Sequence, residues 1–184
     1  MKRIKIMAMI ATAIAAAACG STKEQTPAES LLADLGKYIE DGKIMFGHQD
    51  SYLYGHSWKV DADQTVFDRS DIHYVTGKYP ALYGMDLGGI ELDSPLNIDK
   101  NDFNHMRASA VAHHERGGVL TFSWHPMNPL TGGTTWDTQS TEVVASILPG
   151  GEKHEMFMGW LSKAADYLGS IKHAEDNMIT VIFS

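Results

Sequence analysis

Four short runs along the chain are apolar at nearly every position. They are Ile44-Met45-Phe46-Gly47-His48, Ala81-Leu82-Tyr83-Gly84-Met85-Asp86, Val119-Leu120-Thr121-Phe122-Ser123-Trp124 and Met178-Ile179-Thr180-Val181-Ile182-Phe183. Continuous apolar runs of this length suit strands buried on both faces. Between them the spacing changes to a helical period. Ser30 to Asp41 carries Leu31, Leu32, Leu35, Tyr38 and Ile39 on one side. Asp102 to Glu115 carries Phe103, Met106, Ala110 and His114, with Asp102 as the expected N-cap and Gly117-Gly118 as the stop. Glu152 to Ile171 carries Met156, Trp160, Leu161, Ala164, Ala165 and Leu168.

Strands alternating with helices predict an α/β chain with a parallel sheet built from βαβ units. Strand starts fall about 37, 38 and 59 residues apart, and the widest gap holds a Gly-, Thr- and Asn-rich loop, Pro126 to Ser140. Long loops after the C-terminal ends of parallel strands are where such folds place function. Parallel strands are normally covered on both faces, and the three helical stretches do not cover four strands. The expectation is the open half of a larger barrel, comprising strands 1–4 with their helices; a complete small α/β domain is the alternative.

The N-terminus changes the picture. Met1-Lys2-Arg3-Ile4-Lys5 is cationic, and Ile6 to Ala18 is free of charge. That is the layout of a secretory signal, and it is shorter than the ~20 apolar residues a spanning helix needs. It ends Ala16-Ala17-Ala18-Cys19, which resembles the lipobox of bacterial lipoproteins, whose cysteine takes a lipid. Cys19 is the single cysteine of the chain, so no internal disulfide competes for it. The expected organisation is a signal peptide over 1–18, lipid attachment at Cys19, a flexible tether over 19–29 and a folded domain over 30–184. Such a chain is exported and membrane-anchored, at the outer membrane, the cell surface or the periplasmic face.

Cutting before Cys19 removes three basic residues and leaves 12 Lys+Arg against 23 Asp+Glu, a net of −11. That balance argues against nucleic acid as a partner. It says nothing about the oligomeric state.

Candidate chemistry gathers at strand ends. Phe122-Ser123-Trp124-His125-Pro126-Met127-Asn128, continuing to Trp136-Asp137, places Trp124, His125, Asn128 and Trp136 on one strand end and its loop. Aromatic faces stack on sugar rings, while His and Asn bond to hydroxyls; the alternative is core packing beside a turn-rich loop. Gly47-His48-Gln49-Asp50 ends the first strand and Asp86 the second. In a parallel barrel these ends meet at one mouth, so His48, Asp86 and His125 are expected to be neighbours. No metal or cofactor is implied. His113 and His114, adjacent on a helix, point apart, and the chain has no HExxH, cysteine cluster, P-loop, dinucleotide fingerprint or GxSxG elbow.

These motifs resemble glycoside hydrolase family 26, best known for β-mannanases. Phe122 to Asp137 carries most of the likeness. Phe46-Gly47-His48-Gln49, Tyr83-Gly84-Met85-Asp86 and Ile147-Leu148-Pro149-Gly150-Gly151 add to it. The resemblance covers the chain after the tether. It implies a (β/α)8 barrel that hydrolyses β-1,4-mannosidic bonds with retention, using two glutamates about 5–5.5 Å apart. It makes His125 a sugar-holding residue and places His48, Gln49 and Asp86 on the cleft floor. In the family the acid/base glutamate follows strand four in a pattern like Phe-Arg-Pro-x-His-Glu. Here strand four reads Thr180-Val181-Ile182-Phe183-Ser184. Neither catalytic glutamate is therefore expected among these residues, and the chain is expected to be inactive alone. His154-Glu155 mimics the motif but lies on the third helix, where Glu155 should face outward. Glu91, Glu115 and Glu142 have no better claim to catalysis. A glycan-binding lipoprotein without catalysis and a nonfunctional gene fragment are the other readings.

Overall fold

The computed structural model describes residues 25–173 and 177–184; the expected signal segment and Cys19 lie outside them. In chain order the elements are α1 (Pro27–Glu40), β1 (Gly47–Gln49), β2 (Tyr54–Gly55), β3 (Trp58–Lys59), α2 (Asp71–Thr76), β4 (Leu82–Asp86), a 3-10 turn (Ile90–Leu92), α3 (Phe103–Glu115), β5 (Val119–Ser123), α4 (Val143–Ile147), α5 (His154–Gly169) and β6 (Val181–Phe183). Four strands form one sheet in the order β1-β4-β5-β6, every neighbouring pair parallel. The α/β expectation of a parallel sheet with helical crossovers is met.

Register divides the sheet into two faces, because side chains alternate along each strand. Tyr83, Met85, Leu120 and Phe122 share the outer face and are at most 1% exposed. They pack beneath Phe103, Met106 and Ala110 of α3 and Tyr167 of α5. Phe122 and Tyr167 meet edge to face at 6.3 Å, and Tyr83 Oη lies 2.9 Å from Ser109 Oγ. The inner face carries Gln49, Gly84, Thr121 and Ile182, with Asp86 and Ser123 at its C-terminal end.

Local signals set the helix ends. Asp102 caps α3, accepting from the Asn104 and His105 amides, and Gly117, at φ 79°, stops it. The buried stripe of α3 runs Phe103, Met106, Ala110 and His113. The expected member His114 is only partly buried; His113 takes the place because its Nδ1 finds Tyr52 Oη at 2.9 Å. Burial holds His113 neutral, pushing its imidazole down to about 4. The ring lies where a side chain on Gly118 would stand, so glycine there is required for close approach.

Several boundaries differ from expectation. Helix α1 begins at Pro27, with Thr26 and Glu29 forming a capping box, so Pro27 to Glu29 are helical rather than tether. Strand β1 spans only Gly47–Gln49, with Ile44 95% and Phe46 58% exposed. Among the described residues it pairs on one side only, with β4. Strand β6 is likewise shorter than Met178–Phe183; Met178 instead bridges Lys172 in antiparallel fashion. On α5 the buried residues are Ala164 and Tyr167, with Phe157 and Trp160 partly covered, while Met156, Leu161 and Ala165 stay exposed. The aromatic stripe wins because it meets aromatic partners: Phe157 stacks on Trp124 and Tyr167 meets Phe103. Glu155 faces outward as expected.

The hairpin β2–β3, α2, α4 and the 3-10 turn are too short to leave a periodic signal. Asp71 holds the hairpin, accepting from the His56 amide at 2.6 Å and Trp58 Nε1 at 2.7 Å.

Candidate functional site

Strands β4 and β5 end side by side, and the register sets Asp86 opposite Ser123 on the inner face. Asp86 is 3% exposed. Its Oδ2 accepts from Ser123 Oγ at 2.6 Å and meets the Nδ1 edge of His125. Its Oδ1 accepts from the Gly88 amide at 2.7 Å and the His125 amide at 3.3 Å. Burial alone would raise this carboxyl; the bonds from Ser123, His125 and Gly88 outweigh it and hold Asp86 below its ordinary value. His125 is therefore held through both ring and backbone, with its side chain 40% exposed. Trp136 stands beside it, ring centroids 5.7 Å apart, and is 78% exposed.

The remaining expected residues separate. Gln49 lies on the inner face with Asp86, its amide filling the space that Gly84 leaves by lacking a side chain. His48 is not a neighbour of Asp86 and His125. It pairs with Tyr83, so it belongs to the helix-covered face; one step of register parity moves it away from the mouth. Trp124 follows the same parity: its ring stacks on Phe157 at 5.9 Å and its Nε1 donates to Glu91 at 3.2 Å. Asn128 is buried, and its amide is committed to its own loop. Its Oδ1 accepts from the Leu130 and Thr131 amides and its Nδ2 donates to Asp137. Of the expected sugar contacts, His125, Gln49, Asp86 and Trp136 share the mouth; Trp124 and Asn128 shape its wall from behind.

Three further acidic residues, Glu91, Asp50 and Asp99, stand at this end. Glu91 is 3% exposed and bonds to the Trp124–Met127 segment. Asp50 follows β1 in a left-handed conformation, φ 50°, with no exposed surface. The Asp50 carboxylate makes no well-formed hydrogen bond; loose contacts from Tyr54 and Asn101 favour its ionised form only in part. Burial, reinforced by the negative charge of Asp99, raises Asp50 to about 7. Asp99, on the Asn97–Asn101 turn, is raised by its own partial burial and by Asp86. The only readable signal was position, since Asp50 directly follows a strand's C-terminal end. Among the described residues no group of three His, Cys, Asp or Glu is arranged to hold a metal ion. A groove of about 1130 Å³ lies at the opposite ends of the strands, between α1 and Ile44, Ala81 and Val119. It is separate from this site.

Comparison with known proteins places this arrangement. A mannan endo-1,4-β-mannosidase of Bifidobacterium adolescentis is 33% identical over 157 residues, which are 83% of this chain and 15% of that protein. Among solved structures, a GH26 β-mannanase from Bacteroides ovatus is 40% identical with a TM-score of 0.78, over 86% of this chain and 45% of that one. The catalytic domain of a GH26 endo-β-1,4-mannanase from Bacillus sp. JAMB-750 is 32% identical with a TM-score of 0.72, over 86% and 41%. The chain thus spans less than half the length of each of these relatives, and its sheet is part of their barrel. The model of glycosyl hydrolase family 26 matches residues 21–184, and this chain, with its Asp86–His125 mouth at the strand ends, belongs to that family.

Proposed function

We propose that this chain supplies the His125 side of a β-1,4-mannan cleft in a retaining mannanase. The observation that carries the reading is the Asp86–His125 pair beside the exposed Trp136 ring, in a chain 40% identical to a GH26 β-mannanase. A fixed imidazole edge next to an open aromatic face suits a neutral sugar, whose hydroxyls need a directional partner and whose ring face is apolar. The 184 residues by themselves bind without hydrolysing. Retention requires two free carboxylates facing one bond; at this end Asp86 and Glu91 are buried and committed to donors, and Asp50 is buried with no exposed surface. The substrate is β-mannan or a related polysaccharide, with no cofactor and no nucleic acid.

Retardation of the purified chain in a gel containing galactomannan tests this reading, and migration equal to that in a mannan-free gel would refute it. Trp136→Ala is expected to weaken retardation about tenfold, or ~1.4 kcal/mol. Its effect on stability should stay within about 0.5 kcal/mol, because the ring is exposed.

The same reading includes delivery. Lipid on Cys19 anchors the domain outside the inner membrane, where polysaccharide is met; the cationic start, the apolar run and the Ala-Ala-Ala-Cys junction support it. Labelled palmitate should enter the wild-type chain and be lost in Cys19→Ala. Equal labelling of both would sink the anchor.

A further inference from the structure

We propose that Glu91 is a positioning residue for His125, gripping the chain on both sides of it. Its Oε2 accepts from Trp124 Nε1 at 3.2 Å and from the Gly89 amide at 3.0 Å, and its Oε1 accepts from the Met127 amide at 2.9 Å. Residues 124 and 127 bracket His125-Pro126. Proline has no N–H, so the Met127 amide is the first backbone donor after His125 by which this segment can be tied. Between the two ties, His125 turns its amide and its ring to Asp86. One carboxylate thus holds the frame while another holds the imidazole.

Glu91 is itself held. It sits in the 3-10 turn between Gly89, at φ 102°, and Asp93, at φ 56°. Lys163 of α5 donates to the Glu91 carbonyl at 2.9 Å and to Asp93 Oδ2 at 2.7 Å. The same helix supplies Phe157 against the Trp124 ring. Its carboxylate faces three neutral donors, and no cation forms a salt bridge with it among the described residues. A buried carboxylate satisfied only by neutral donors is costly unless each bond is well made. Glutamine keeps the shape but turns an N–H toward at least one of those donors. Local order at His125 should therefore fail in Glu91→Gln while the fold survives.

The proposal rests on the mannan reading only for its effect on binding, and the test separates the two. In hydrogen exchange, the His125 amide of Glu91→Gln should exchange at least tenfold faster than in wild type. The Leu87 amide, bonded to Ser123 O at 2.8 Å on the adjoining rung, should be unchanged. Affinity for β-1,4-mannohexaose should fall about tenfold in Glu91→Gln, yet fall no further when Glu91→Gln is added to His125→Ala. Lys163→Met, which loosens the Glu91 turn from a part-exposed position, should move both readouts in the same direction to a smaller extent. It carries the test if Glu91→Gln does not fold. His125 protection unchanged in a folded variant would overturn the positioning role, as would equal loosening of Leu87 and His125. If wild type binds no mannohexaose, the mannan reading fails and hydrogen exchange alone decides the role of Glu91.

Discussion

Replacing Asp86 by alanine is expected to abolish mannan binding and to lower stability by about 3–5 kcal/mol, the cost of leaving buried polar partners without their ion. The size follows from what the carboxylate holds. Ser123 Oγ, the Gly88 amide, the His125 amide and the His125 ring all converge on it. Alanine strands these donors at a strand end that is 3% exposed at Asp86. Asp86→Asn is milder, since one oxygen still accepts, but it presents an N–H to donors. Because the folded state lowers the Asp86 carboxyl, its contribution is complete above the unfolded value near 3.9 and fades as pH falls through the lower folded value. Wild type should therefore keep this contribution at pH 5 and lose it only in stronger acid. Urea denaturation of wild type and Asp86→Ala at pH 7 checks the magnitude. A loss under 1 kcal/mol with binding intact would remove Asp86 from the centre of the site.

The second large effect has the opposite sign. Asp50→Asn is expected to stabilise the chain at pH 8 by up to about 4 kcal/mol and to leave it nearly unchanged at pH 4. Asp50 is carried from 3.8 to about 7. That is roughly three tenfold steps at about 1.36 kcal/mol each, an upper bound for a site that can relax. A raised carboxyl binds its proton more tightly in the folded state. Its favourable contribution is therefore full below the unfolded value and is lost as pH rises through about 7. Asparagine removes the ionisation and tolerates the φ of 50°. His113 works against this slope in wild type. Its folded imidazole is lowered to about 4, so falling pH charges the unfolded chain first and destabilises the fold between about 6.5 and 4. Wild-type stability should thus vary little from pH 4.5 to 6.5. Asp50→Asn should expose the His113 slope and grow less stable as pH drops. Denaturation of both proteins at several pH values reads the difference directly. A difference that does not change from pH 4 to pH 8 would show that Asp50 ionises as freely folded as unfolded.

Much of the architecture was legible because it is locally encoded. The apolar runs that became β4 and β5 lie at the sheet centre, where burial on both faces demands a continuous apolar strand. Asp102 and Gly117 marked the ends of α3 because capping and a left-handed stop depend on the residue itself. The Ser-Trp-His element was recognisable for the same reason, and His125 stands at the mouth where it was expected. Edge positions were less legible. The apolar start at Ile44 reads like a buried strand, yet it lies beside an edge that is paired on one side only. Helix α5 is apolar around most of its circumference, so periodicity alone cannot choose its buried face; Trp124 and Phe103 choose it.

The sequence by itself determined the four parallel strands and the three long helices that accompany them, and it set His125 just past a strand's C-terminal end. Tertiary structure alone decided which polar residues meet. His48 lies near a strand's C-terminal end and looks like a site residue, but one step of register sends it to the helix side. Glu91 looks like an ordinary turn residue, yet its carboxylate reaches across 33 and 36 positions to Trp124 and Met127. Face and partner are set by pairing between distant segments, and no local property of a side chain records them.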